Sequence, residues 1–134
     1  MVKRLGWRLV AKPLHDLYSP GSRKIHFPQA DFRFLVRSAA NIARAIASVH
    51  QSGCVIGDIN HSSMLVSTKG TVSLIDADSF QITTSTNQFL CKVGVPEYTS
   101  PELQGQNLST TSRTSNHDSF GLAIVIFQVL FIRN

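Results

Sequence analysis

From Asp31 to Ser52 apolar residues recur at intervals of three and four, at Leu35, Ala39, Ile42, Ala43, Ile46 and Val49, while Arg33, Arg37 and Arg44 take the rest of the cylinder. That spacing predicts an amphipathic helix. Asp31 suits its N-cap and Gly53 its C-terminal stop, which gives about twenty-one residues and a length of roughly 30 Å. His50 falls near the end of this helix on its apolar side and reads as a core histidine with a polar partner. The pattern then shortens. Met64-Leu65-Val66 and Val72-Ser73-Leu74-Ile75 read as two short strands, and Thr68-Lys69-Gly70 supplies the turn of a tight hairpin between them. From Phe120 to Ile132 the chain is apolar nearly all round, interrupted by Gln128, and predicts a helix starting near Asp118 that belongs in a core. Trp7 to Ala11 is a short apolar stretch that suits an edge strand. Pro13 to Pro28, punctuated by Pro13, Pro20, Gly21 and Pro28, reads as irregular. Residues 76 to 102 read as a long loop pinned at both ends, with a Thr- and Ser-rich stretch over 81–87 that is either solvated or open to phosphorylation.

The hairpin has a chemical consequence. Asp58 stands just before its first strand and Asp76 just after its second. Paired antiparallel strands lie about 5 Å apart, so closing the hairpin should bring both carboxylates to the same open end. Two acidic groups at such a mouth suit holding a cation and steering a proton beside a phosphate.

Charge and composition narrow the remaining options. The chain has 134 residues, of which 43% are hydrophobic and 16% charged, so it is one globular domain or part of one and not a disordered tail. The net charge of +5 is uneven: residues 1–53 hold nine Lys or Arg against Asp16 and Asp31, whereas the remainder holds four against six acidic residues. A basic first half could meet nucleic acid or an anionic surface. Its charges, however, are scattered through an amphipathic pattern, which makes a solvated face the simpler reading. The apolar run from Phe120 is about thirteen residues, short of the roughly twenty needed to span a bilayer. Lys3, Arg4 and Arg8 are followed by no secretory apolar run. Cys54 and Cys91 lack zinc-site spacing and define no disulfide framework, so free thiols in a cytoplasmic protein are expected.

Several segments taken together resemble the protein kinase fold. Its catalytic loop, His-Arg-Asp-x-x-x-x-Asn, precedes a hairpin ending in Asp-Phe-Gly. The corresponding residues here are Ile56-Gly57-Asp58, then Ser63, then Asp76-Ala77-Asp78. Gly94-Val95-Pro96-Glu97-Tyr98-Thr99-Ser100-Pro101-Glu102 is similar to the end of a kinase activation segment, and Asp118-Ser119-Phe120-Gly121-Leu122-Ala123-Ile124 to the opening of the large buried helix of that fold. The nearest likeness is to bacterial kinase-like proteins with Gly-Asp-x-Asn loops and Asp-Ser-Phe-Gln after the metal aspartate, here Asp78-Ser79-Phe80-Gln81. The resemblance covers nearly the whole chain. It implies an α+β, mainly helical fold: part of a kinase C-lobe, residues 1–134, from the hinge region to the central helix, with a short hairpin carrying the site.

The same resemblance implies roles. Asp58 would be the catalytic aspartate that accepts or orients the proton of the attacking hydroxyl, and Asp76 the aspartate that holds magnesium. Ser63 would be the second metal position, and Val10, Asn60 and Leu65 would face ATP. A protein substrate would lie along the activation segment. There are departures. Ser63 replaces an asparagine, a better cation ligand than a hydroxyl. Asn60 replaces a lysine common at that place. Gly57 replaces the arginine that pairs with a phosphorylated activation segment in regulated kinases, which argues against control by that route. No Gly-rich loop or Val-Ala-x-Lys strand fits in the residues before Trp7. The expectation is therefore a Ser/Thr protein kinase-like phosphotransferase cut at both ends, inactive alone and in need of its N-lobe segment. The alternatives are a non-catalytic remnant that binds a partner protein, and, less favoured, a small nucleic-acid binder working through residues 3–44.

Overall fold

The chain's structure, a computed structural model, describes residues 11–132. Val10 and most of the apolar stretch from Trp7 lie outside the described residues. Nine elements follow in order: β1 (Ala11–Pro13), α1 (Leu14–Tyr18), α2 (Pro20–His26), α3 (Phe32–Gln51), β2 (Met64–Ser67), β3 (Val72–Leu74), β4 (Ile82–Thr83), β5 (Gln88–Phe89) and α4 (Ser115–Phe131), with short 3₁₀ turns at 77–79, 96–98 and 101–103. The fold is α+β and mainly helical.

Helix α3 follows from its pattern. The Asp31 carboxylate accepts the Phe34 N–H at 2.8 Å, satisfying one of the orphan donors of the first turn. Leu35, Ala39, Ile42 and Ile46 are all buried on one stripe. At the far end Gly53 takes φ +87°, which turns the chain out of the helix. Strands β2 and β3 form the expected hairpin, with Met64 opposite Leu74 and Val66 opposite Val72. Gly70 supplies the positive φ of the turn, at +84°. The Ser67 hydroxyl accepts the N–H groups of Lys69 and Thr71 there. Period-two alternation places Met64 and Val66 wholly inside and leaves Leu65 half-buried. Asn41 on α3 donates to the Gly70 carbonyl at 2.9 Å and so ties the hairpin tip to the helix.

Three expectations need correction. Pro13 to Pro28 is not irregular: it folds as α1 and α2, and the prolines open these helices rather than break them, Pro20 standing in the first turn of α2. The loop from 76 to 102 contains a small antiparallel ribbon, with Ile82 opposite Phe89 and Thr83 opposite Gln88. The hairpin is also one strand wider than expected, because β1 pairs antiparallel with β2.

The core gathers Leu14 and Leu17 of α1, Ile42 and Ile46 of α3, Met64 and Val66 of β2, and Val125 and Val129 of α4. Helix α4 begins at Ser115, three residues earlier than its apolar run suggests, because Thr114 and His117 form a reciprocal cap. Only one stripe of α4 is buried, Asp118, Gly121, Val125 and Val129, while Phe127 and Phe131 are 60% and 59% exposed. No helix of the described residues is long and apolar enough to cross a membrane.

The two faces of α4 should differ in energy. Val125→Ala, which empties a fully buried site, is expected to cost about 2 kcal/mol in urea unfolding, whereas Phe127→Ala should stay within about 0.5 kcal/mol. Equal losses would mean that α4 is turned about its axis from the orientation described.

Candidate active site

The loop from Val55 to Ser63 links α3 to β2, and its shape is set by one buried carboxylate. Asp118, in the first turn of α4 and 2% exposed, accepts the N–H of Ile56 at 2.7 Å, the N–H of Gly57 at 2.8 Å and a ring nitrogen of His50 at 2.8 Å. A buried carboxylate needs such donors, since leaving it unpartnered would cost several kcal/mol. Helix α4 comes close enough to deliver it because residue 121 is glycine. A Cβ there would lie 3.1 Å from the Ile59 Cβ and 3.3 Å from the Tyr98 carbonyl oxygen. His50 is thus a partnered histidine at the edge of the core, as its place on α3 suggested.

Asp58 follows the clamped pair directly. Its Oδ1 accepts the Asn60 side-chain amide N–H at 2.8 Å, and the Asn60 side-chain Oδ1 accepts the Ser62 N–H at 2.7 Å. The buried Ser63 hydroxyl donates to the Asn60 backbone carbonyl at 2.9 Å and accepts the Asn60 N–H at 3.1 Å. Asn60 and Ser63 therefore brace the loop from within, and the Ser63 hydroxyl already spends its proton and one lone pair on Asn60. Beyond the last strand pair, the Ile75 N–H donates to the Ser63 carbonyl at 3.0 Å, so Asp76 comes one residue past a rung that ties the two ends of the hairpin together. Asp76 adopts φ 61°, ψ 37°, the left-handed region, which costs a non-glycine residue on the order of 1 kcal/mol. Its exposed side chain caps no backbone N–H, whereas its carbonyl accepts from Ser79.

Asp76 offers an exposed carboxylate and Asp58 a half-buried one, and carboxylate oxygen is the ligand type that a hard cation takes. Among the described residues no group of three or more His, Cys, Asp or Glu is arranged to hold a metal alone, so magnesium here would need the oxygens of a bound phosphate. Two residues past Asp76, Asp78 and Ser79 line a groove of about 520 Å³ together with Phe89, Lys92 and Val93.

The segment after β5 is fastened to the loop from Val55 to Ser63 by Arg113, which donates to the carbonyls of Gly57, Cys91 and Val93. Further along, Tyr98 donates to Gln128 of α4 at 2.8 Å and lies 3.0 Å from His61. Burial, with Tyr98 adding to it, pushes the neighbouring Tyr18 phenol up to about 12, so that group stays neutral. Glu102 lies 3.3 Å from His117 at the start of α4. Its carboxyl is held below its ordinary range by hydrogen bonding to its own backbone first, with His117 contributing.

Three residues of the site, Asp118, Arg113 and Gln81, were not picked out in the sequence as working residues. Asp118 marks the opening of the last helix, but its role as acceptor for the loop follows only from the fold. The available signal was a carboxylate heading an otherwise apolar helix, which demands partners once buried. Arg113 and Gln81 carry no periodic signal at all.

With this geometry in view, the comparisons with known proteins agree. The protein kinase domain model matches residues 9–134. The chain belongs to the protein kinase domain family. It is 46% identical over 121 residues to Protein kinase YegI of Escherichia coli, in both the O157:H7 and K12 strains, an alignment covering 90% of this chain and 19% of the relative. It is also 30% identical over 92 residues, 69% of this chain and 27% of the relative, to the "Probable cAMP-dependent protein kinase catalytic subunit" of Encephalitozoon cuniculi (strain GB-M1). The chain thus spans about a fifth of the length of its Escherichia coli relatives.

The Asp118 clamp can be tested by isosteric change. Asp118→Asn keeps the shape but turns an amide N–H₂ toward donors, and should lower stability by about 2–4 kcal/mol. His50→Ala, which removes one donor of three, should cost less, about 1–2 kcal/mol. Urea midpoints in the reverse order would refute the clamp.

Proposed function

We propose that this chain carries the catalytic and magnesium loops of a Ser/Thr protein phosphotransferase that uses ATP and Mg²⁺. The observation that carries the proposal is the Asp118 clamp on Ile56 and Gly57, which holds Asp58 at the mouth of the β2–β3 hairpin. Phosphoryl transfer depends on positioning and charge neutralisation rather than on covalent chemistry by the protein. A loop fixed through its backbone by a buried anion meets the first requirement.

In this reading Asp58 accepts or orients the proton of the attacking hydroxyl, while Asn60 holds its Oδ1 and so fixes the carboxylate plane. Asp76 binds magnesium, which when present neutralises phosphate charge. Leu65, half-buried on β2, faces the nucleotide, and Ser63 keeps the loop and hairpin in register through its hydrogen bonds to Asn60 and Ile75. A protein substrate lies along the groove lined by Asp78, Phe89 and Lys92. Free Cys54 and Cys91 suit the reducing cytoplasm. A second reading, a non-catalytic interaction module, draws on the outward Phe127 and Phe131 of α4.

The test is transfer of labelled phosphate from ATP to a Ser/Thr protein substrate by the full-length protein in Mg²⁺. Asp58→Asn should lower kcat by about 10²–10⁴ with little change in stability. Asp76→Ala should abolish transfer at ordinary Mg²⁺ and raise the Mg²⁺ concentration needed for any that remains. Transfer that survives Asp58→Asn would contradict the role of Asp58. Binding of a partner protein by both wild type and Asp58→Asn, with no transfer by either, would favour the second reading.

A further inference from the structure

Arg113 lies in the loop before α4, is 3% exposed, and forms no ion pair with an acidic residue among those described. Its guanidinium instead gathers carbonyls. Nη1 donates to the Gly57 carbonyl, immediately before Asp58, and lies 3.6 Å from the Cys91 sulfur. Nη2 donates to the carbonyls of Cys91 at 3.1 Å and Val93 at 2.7 Å. Its backbone is clasped in turn by Gln81, which accepts the Arg113 N–H at 2.8 Å and donates to the Arg113 carbonyl at 2.7 Å. Gln81 is itself paired through its backbone with Val55 at the head of the catalytic loop.

Gly57 leaves the room that this arrangement needs. A Cβ at that position would fall 2.6 Å from the Cys91 Cβ and 3.0 Å from Arg113 Nη1, and its φ of +80° disfavours any other residue. The place where the resemblance to kinases calls for an arginine is thus empty of a side chain and is filled by a guanidinium from another segment. A buried cation held by neutral acceptors is costly unless most of its donors are used; Nη1 and Nη2 make four contacts that join just two strips of chain, 57 and 91–93, while Nε is buried without a partner.

We propose that Arg113 is a positioning residue, a built-in clasp that holds residues 91–93 of the activation segment against the catalytic loop without phosphorylation. The clasp rests on the kinase reading above for its purpose, but its existence can be measured apart from catalysis. Lys92 is exposed and lies between the two clasped carbonyls, so tryptic cleavage after Lys92 reports release of the segment, and cleavage after Arg44, midway along α3, reports global unfolding.

In the full chain, Arg113→Met should speed cleavage after Lys92 by at least about tenfold, and Arg113→Lys by less, with cleavage after Arg44 unchanged. Treating the wild type with a general phosphatase should leave the Lys92 rate as it was. Asp58→Asn should leave it unchanged too, so loss of phosphoryl transfer and loss of the clasp are separable. The proposal is overturned by any of three results: an unaltered Lys92 rate in Arg113→Met, equal acceleration at Lys92 and Arg44, or release of Lys92 by phosphatase. Should Arg113→Met fail to fold, Arg113→Lys decides on the same ratio.

Discussion

The structure depends on the Asp118 carboxylate. It receives His50 from the end of α3 and the N–H groups of Ile56 and Gly57, so three donors from two parts of the chain, more than sixty residues from Asp118 in sequence, meet at one anion. The side chain is almost wholly buried, where hydrogen bonds to a charge are strong and a missing partner is costly. The same low dielectric makes the arrangement nearly all-or-none. Either the loop presents both N–H groups in this geometry, or α4 cannot dock with Asp118 inside.

Around that anchor, α3 works as a brace fixed at two points. Asn41 holds the Gly70 carbonyl at the tip of the hairpin, and His50, two and a half turns later, holds Asp118. The hairpin and the catalytic loop are therefore referenced to one rigid rod, and the rung from Ile75 to Ser63 links them directly. Asp58 precedes and Asp76 follows that linked unit in sequence, next to the rung that ties its two chain ends together. The left-handed backbone at Asp76 is the local strain the arrangement tolerates there.

Much of this was legible in the sequence, for physical reasons that differ by element. The stripe from Leu35 to Val49 and the Asp31 cap specified α3 nearly to the residue, because a long period and a strong cap agree. Gly70 and the alternation around it specified the hairpin. Helices α1 and α2 were missed because each is too short to show a period, and because Pro13 and Pro20 punctuate a loop and open a helix equally well. The ribbon at 82–83 and 88–89 was missed because two-residue strands carry no alternation. The chemistry divides the same way. Asp58 and Asp76 flank recognisable strands, whereas Arg113 acts through backbone carbonyls, which leave no mark on residue types. The resemblance to the kinase catalytic loop singled out Ser63, but only the fold shows its hydroxyl turned inward to Asn60.

The central claim is that the anchored loop and the hairpin together present Asp58 and Asp76 to one cation. Mn²⁺ titrated into isotopically labelled protein tests it directly, because a paramagnetic ion broadens the resonances of nearby amides even when it binds weakly. The account predicts that amides around Asp58 and Asn60 broaden together with those of Asp76 and Ala77, and that both sets recover in Asp76→Ala. Broadening confined to one of the two sets, or centred instead on Glu97 and Glu102, would contradict it.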